Sequence, residues 1–128
     1  MKLLLDTCTF LWLIVESSQL SPLAKERFSD PGNDAFLSVV SVWEIVLKYD
    51  LGRLPLPESP LDLIPRYRGR LRVESLPLNE ADVLGISRLP MLHRDPFDRM
   101  LICQAITEGM TILTPDADIR QYPVMTIW

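Results

Sequence analysis

Five short apolar runs punctuate this chain at wide intervals: Lys2 to Leu5, Ala35 to Ser38, Val73 to Leu76, Thr111 to Leu113 and Val124 to Ile127. Each is too short for a helix and too uniformly apolar for a strand with one face in water, so each reads as a strand covered on both sides. Spaced apolar positions between them predict helices over Phe10 to Val15, Leu23 to Phe28, Val42 to Leu51, Leu61 to Tyr67, Ala81 to Ile86 and Phe97 to Thr107, with Gly52 and Gly109 as stops. Strands alternating with helices require crossover connections. The expected fold is therefore a three-layer α/β/α domain around a central, mainly parallel sheet of about five strands. At 128 residues the chain is expected to form a single domain, residues 1–128. Its prolines fit this reading, because Pro22 and Pro96 stand at helix starts and Pro123 precedes the last strand.

Composition narrows the class. A hydrophobic content of 48% excludes a disordered chain. No apolar run approaches the ~20 residues of a membrane-spanning helix, and the start MKLLLDTCTF carries no signal-cleavage pattern, so a cytoplasmic protein without membrane contact is expected. Cys8 and Cys103 form no pair pattern and are expected to be reduced and buried. With 13 basic against 17 acidic residues the net charge is −4, which lacks the positive field of a non-specific nucleic-acid binder. The only basic cluster, Arg66, Arg68, Arg70 and Arg72, reads either as a solvated face or as a local RNA-facing rim.

The acids are placed where the topology gathers them. Asp6 closes the first strand, Glu44 is expected in the first turn of the helix after the second, Asp95 and Asp98 open the longest helix, and Asp116 follows the fourth strand. In a parallel α/β sheet the carboxyl ends of the strands and the amino ends of the following helices share one edge, so these groups should converge. Each also has a capping explanation: Ser41-Val42-Trp43-Glu44 matches a capping box, Asp95-Pro96 an N-cap with proline next, and Asp6 and Asp116 can cap as well. Capping gains about 0.3 to 1 kcal/mol per carboxylate from the helix dipole, whereas two carboxylates ~5 Å apart repel by roughly 3 kcal/mol at an effective dielectric near 20. A shared pocket of such groups needs a cation or must take up protons.

All of these donors are oxygens and the only histidine is His93, which favours Mg²⁺, or Mn²⁺ in its place, over zinc. Carboxylate clusters of this kind suit metal-assisted phosphodiester hydrolysis. His93, between Leu92 and Arg94, reads as a surface residue of a salt-bridged loop rather than a base. No GxxxxGK[ST] loop and no GxSxG elbow occurs, and Asp6-Thr7-Cys8 lacks the second aspartate of an aspartyl-phosphate phosphatase.

The segments LLLDTCTFLWL, SVVSVWEIVLKYDLGRLPLP and LPMLHRDPFDRMLICQAITEGMTILTPD, followed by a short terminal strand, resemble the PIN-domain toxins of VapC type over nearly the whole chain and in the same order. The family's acidic quartet maps onto Asp6, Glu44, Asp98 and Asp116, with Asp95, Thr114 and Asp118 as auxiliary positions. The resemblance implies a Mg²⁺-dependent endoribonuclease that is the toxin of a type II pair. It implies a cognate VapB-type antitoxin, a homodimer, and cleavage of structured RNA, transfer or ribosomal. Cys8 departs from the small or His residue common at that position.

Aromatics at the helical spacing of Phe10 and Trp12 are more often core than interface, yet the segment Phe10-Leu11-Trp12-Leu13-Ile14-Val15 is apolar all round, so one side of it, with Phe10 and Trp12, is expected to contribute to a groove for the antitoxin. Two rival readings are a PIN-fold module that binds RNA or protein without cutting and an acidic adaptor whose carboxylates only cap helices. An intact quartet of mutually repelling acids argues against both. Without the quartet, 17 − 4 = 13 acids face 13 bases, so the chain's excess charge lies in the proposed site.

Overall fold

The computed structural model describes residues 1–128. Five parallel strands, β1 (Lys2–Leu5), β2 (Asp34–Ser38), β3 (Glu74–Leu76), β4 (Thr111–Leu113) and β5 (Thr126–Ile127), form one sheet in the order β3-β2-β1-β4-β5. Seven helices surround it: α1 (Thr7–Ile14), α2 (Pro22–Ser29), α3 (Val39–Asp50), α4 (Pro60–Leu71), α5 (Glu80–Gly85), α6 (Pro96–Glu108) and α7 (Ala117–Arg120).

Alternation along the strands splits the core in two. Leu4 and Ile112 point to a layer with Leu101, Ile102 and Ala105 of α6, while Leu5, Leu37 and Leu113 point to one with Phe10, Ala24, Leu63 and Ile64. The chain runs from β1 outward to β2 and β3, then returns to place β4 on the other side of β1. That reversal makes the carboxyl ends of β1 and β4 the switch point of the sheet, where ligands bind in parallel α/β folds. The register pairs Leu5 with Leu113, so Asp6 and Thr114 leave their strands side by side.

Local sequence sets the helix ends. Asp6 caps α1 by accepting from the Thr9 N–H at 2.7 Å, which starts that helix three residues before the apolar pattern. Ser38, not Ser41, caps α3, accepting from the Val40 N–H at 3.0 Å. The capping box expected at Ser41 is therefore absent, Ser41 is buried inside the helix, and Glu44 falls in the second turn rather than the first. Gly109 at φ 65° ends α6 in the left-handed conformation that glycine adopts without a Cβ clash. Gln104 fastens α6 to the sheet, accepting from the Ser38 hydroxyl at 2.5 Å and donating to the Pro77 carbonyl at 3.1 Å. No helix is long and apolar enough to cross a membrane.

Candidate active site

Asp6, Glu44, Asp98 and Asp116 each reach the carboxyl edge of the sheet from a different element, and each is held by its own partner. Asp6 is buried at the end of β1, with Oδ1 on the Thr9 N–H and Oδ2 accepting from the Thr114 hydroxyl. The same Thr114 oxygen accepts from the Asp116 N–H at 3.0 Å, so one threonine links the first and fourth acids. Asp116 caps α7 through the Asp118 N–H at 2.9 Å. Asp118 thus contributes its backbone, and its side chain lies in water. Glu44 is buried, accepting from the Thr7 hydroxyl at 2.6 Å on Oε1 and pairing with the Lys48 ammonium on Oε2.

Asp95 occupies the N-cap of α6 and takes the Phe97 and Asp98 N–H groups on one oxygen, at 2.9 and 3.2 Å. Asp98 is thereby spared for another use, and its Oδ2 meets His93 Nε2 at 3.1 Å. His93 Nδ1 lies 2.8 Å from the hydroxyl of the buried Tyr122.

The acids share an electrostatic field. Burial raises the Asp98 carboxyl to about 6, and repulsion from Asp95, Asp116 and Glu44 adds to it while the bond to His93 opposes it. Burial also raises Asp6; the Thr114 and Thr9 bonds pull the other way and Asp116 adds repulsion. Hydrogen bonding to Glu44 raises the Lys48 ammonium, whose field also includes Asp95.

The family model for the PIN domain matches residues 3–125. The chain belongs to the PIN-domain family. Its fold is similar to that of VapBC2 from Rickettsia felis bound to a DNA fragment from its promoter, with a TM-score of 0.72 at 18% identity over 100% of this chain and 99% of that one. DNA-bound VapBC from Salmonella typhimurium aligns with a TM-score of 0.71 at 18% identity over 100% and 97% of the two chains. VapBC-1 from nontypeable Haemophilus influenzae aligns at 0.70 and 18% over 99% and 97%. No curated protein matches the chain in sequence.

In this PIN domain no group of three or more acidic, histidine or cysteine side chains lies close enough together to hold a metal ion as the side chains stand. The donor set nevertheless suits a hard divalent cation. Every convergent donor is a carboxylate oxygen, and Asp6 and Asp98 are raised chiefly by burial, with repulsion from the neighbouring acids adding to it. Mg²⁺ is usually held by one or two carboxylates with several waters, so a preformed cage is not a requirement.

Three expectations are corrected. Phe10 is fully buried in the core beside Leu5, Ala24 and Leu37, so it has no surface to offer a partner; Trp12 is half-exposed, 5.8 Å from the Trp128 ring. Cys8 is exposed rather than buried. The arginines do not rim the acidic edge as a group: Arg66 pairs with Glu58, Arg68 donates to the Leu37 carbonyl, and Arg70 and Arg72 line a recess with Asp34 and Glu74, which open β2 and β3 at the opposite edge.

His93, Tyr122, Lys48 and Thr7 join the site through the folded structure. Lys48 had a legible signal, since it stands four residues after Glu44 on one helix face. Tyr122 had none, being 29 residues from His93 along the chain.

Proposed function

We propose that this PIN domain is a Mg²⁺-dependent endoribonuclease, the toxin of a VapBC-type toxin–antitoxin pair. The observation that carries the reading is the convergence of Asp6, Glu44, Asp98 and Asp116 on one sheet edge, where burial and mutual repulsion hold Asp98 and Asp6 above the usual carboxylate range. The similarity of the whole chain to VapC-containing complexes supports it. The quartet would hold one or two Mg²⁺ ions, with Mn²⁺ able to substitute. Such an ion, when bound, neutralises charge on a phosphodiester and lowers the pKa of water.

The chain's own residues supply the rest. Thr114 and Thr9 fix both oxygens of Asp6, Thr7 fixes one of Glu44, and His93 fixes one of Asp98. These bonds set the carboxylates in place before substrate arrives, which removes reorganisation from the reaction. Asp95, its Oδ1 committed to the helix cap, retains a second oxygen for a water or a ligand. Lys48 offers a cation for the substrate's phosphate at the same edge. Selection of structured RNA would rest on shape and unstacked bases, and the exposed Trp43, packed edge-on to Phe97 at 5.0 Å, offers a ring for stacking.

A VapB-type antitoxin is the proposed protein partner, with Trp12 and the apolar groove lined by Val42, Val46, Pro60, Leu61, Ile64 and Pro65 as contact surface. The exposed Val39 and Leu47 on α3, with Leu51 at its C-cap, support a homodimer.

Incubating purified protein with total RNA tests the activity. Cleavage should require Mg²⁺, stop with EDTA, and disappear in Asp6→Asn while the circular dichroism spectrum is kept. Full cleavage by that variant, or in EDTA, would overturn the reading.

A further inference from the structure

Tyr122 is a hub. Its hydroxyl oxygen lies 3.2 Å from the Leu92 N–H, 3.1 Å from the His93 N–H and 3.0 Å from Arg99 Nη1, and all three of those groups can only donate. A phenol oxygen already receiving three donors has no room for a fourth. Its remaining close contact is His93 Nδ1 at 2.8 Å, and toward a neutral imidazole the phenol donates its own proton there. Nδ1 is then an acceptor, and the ring proton sits on Nε2, which faces Asp98 Oδ2 at 3.1 Å. For the neutral ring the hydrogen-bond network thus runs in one direction, from Tyr122 to His93 to Asp98.

The network is built rather than incidental. Tyr122 is buried with 4% of its surface exposed, and Arg99, also buried, spans from its hydroxyl to the Pro90 carbonyl at 2.8 Å. The loop leading into α6 is therefore pinned from both sides, and His93 has its backbone and its ring on the same phenol. Asp98 has no capping duty to explain its orientation, because Asp95 already takes the free N–H groups of that turn. The Asp98 Oδ1 atom carries no protein hydrogen bond.

We propose that Tyr122 and His93 form a positioning relay that fixes the Asp98 carboxylate by one oxygen and leaves the other for the cation of the active site. This rests on the nuclease reading. His93 and Tyr122 are positioning residues: they act on the ion through Asp98 and do not touch the reacting atoms. Outer partners of metal-binding carboxylates typically change metal affinity by about 10- to 100-fold when removed.

The test uses the full-length protein and Mn²⁺ alone, followed by isothermal titration and by the electron paramagnetic resonance of the free ion. Asp98→Asn is the reference for loss of the ligand itself. His93→Ala should weaken Mn²⁺ binding about 10- to 100-fold with a melting temperature near that of the parent. His93→Gln, which can place an amide N–H near the Nε2 position, should recover most of the loss. Nitrogen NMR of the parent should show His93 protonated on Nε2, and Tyr122→Phe should abolish that single-tautomer signature. Parent-like Mn²⁺ affinity in His93→Ala, equal losses in the Ala and Gln variants, or a parent His93 protonated on Nδ1 would each overturn the relay. Absence of Mn²⁺ binding by the parent, or indifference to Asp98→Asn, would instead overturn the metal-site reading on which the relay rests.

Discussion

Thr114 donates its hydroxyl to the carboxylate of Asp6 across the boundary between the first and fourth strands, joining residues 108 apart in sequence. The parallel register of β1 and β4 places the two side by side, at the point where the chain reverses its order through the sheet. Both side chains are buried, so the bond is shielded from water and holds one oxygen of the proposed metal site.

Thr114→Val keeps the shape and removes the hydroxyl, leaving a buried carboxylate oxygen and the Asp116 N–H without their partner. The expected loss is about 1 to 3 kcal/mol of folding stability. A lower urea midpoint with an unchanged slope would register it; a midpoint equal to the parent's would contradict it.

The raised carboxyls set a direction for pH dependence in EDTA-treated protein. Asp98 titrates at about 6 when folded against an ordinary 3.8, so the folded chain holds that proton more tightly than the unfolded one. Its contribution to stability is complete below about pH 4 and is lost as the pH rises through about 6. Asp6, raised in the same direction, acts with the same sign. The melting temperature should therefore be higher at pH 5 than at pH 7, by an Asp98 contribution on the order of 1 to 2 kcal/mol after allowing for its residual contact with water. Asp98→Asn should flatten the profile, and Mg²⁺ should restore stability at pH 7 by binding only the folded state. A parent profile that is flat, or that rises with pH, would be incompatible with these shifts.

The sheet and the acidic edge were legible because they follow from pattern and topology. Five apolar runs and the spacers between them determine the strands, and strand ends determine where Asp6 and Asp116 emerge. What escaped was settled by contacts between distant residues or by competing local signals. Ser38 and Ser41 are both good caps three residues apart, and the end of β2 selects the first. Helix α7 is a single turn, too short for a periodic pattern. Phe10 and Trp12 look alike in sequence; the direction of α1 buries one and leaves the other near the surface. Tyr122 gains its role only by folding back onto His93.

Lys48 competes for the site. Its ammonium pairs with Glu44 Oε2 at the edge where a divalent ion would bind. Lys48→Met should therefore act in two opposite directions. The metal-free protein should melt lower at pH 7, because the buried Glu44 loses its counter-charge, whereas Mg²⁺ should bind more tightly. An ion–ion repulsion of about 1 kcal/mol corresponds to roughly fivefold in Kd. Calorimetric titration with Mg²⁺ separates the outcomes, and weaker binding in Lys48→Met would show that Lys48 assists the ion rather than displacing it.

Phe10 and Trp12 should separate stability from partner binding. Phe10 is enclosed by Leu5, Leu37 and Leu113 among others, so Phe10→Ala opens a core cavity and should cost about 3 to 5 kcal/mol, a large share of the about 5 to 15 kcal/mol available to a domain. Trp12 is half-exposed and loses chiefly its contact with Trp128, a ring pair worth about 0.5 to 1.5 kcal/mol beyond its buried area. If its outer edge seats the proposed antitoxin, Trp12→Ala should leave a folded protein with reduced affinity for that partner, by about tenfold or more for an aromatic anchor. Thermal melts and partner titrations on both variants provide the comparison. Parent-like partner affinity in folded Trp12→Ala would remove Trp12 from the docking surface and leave the α3–α4 groove as the site to probe.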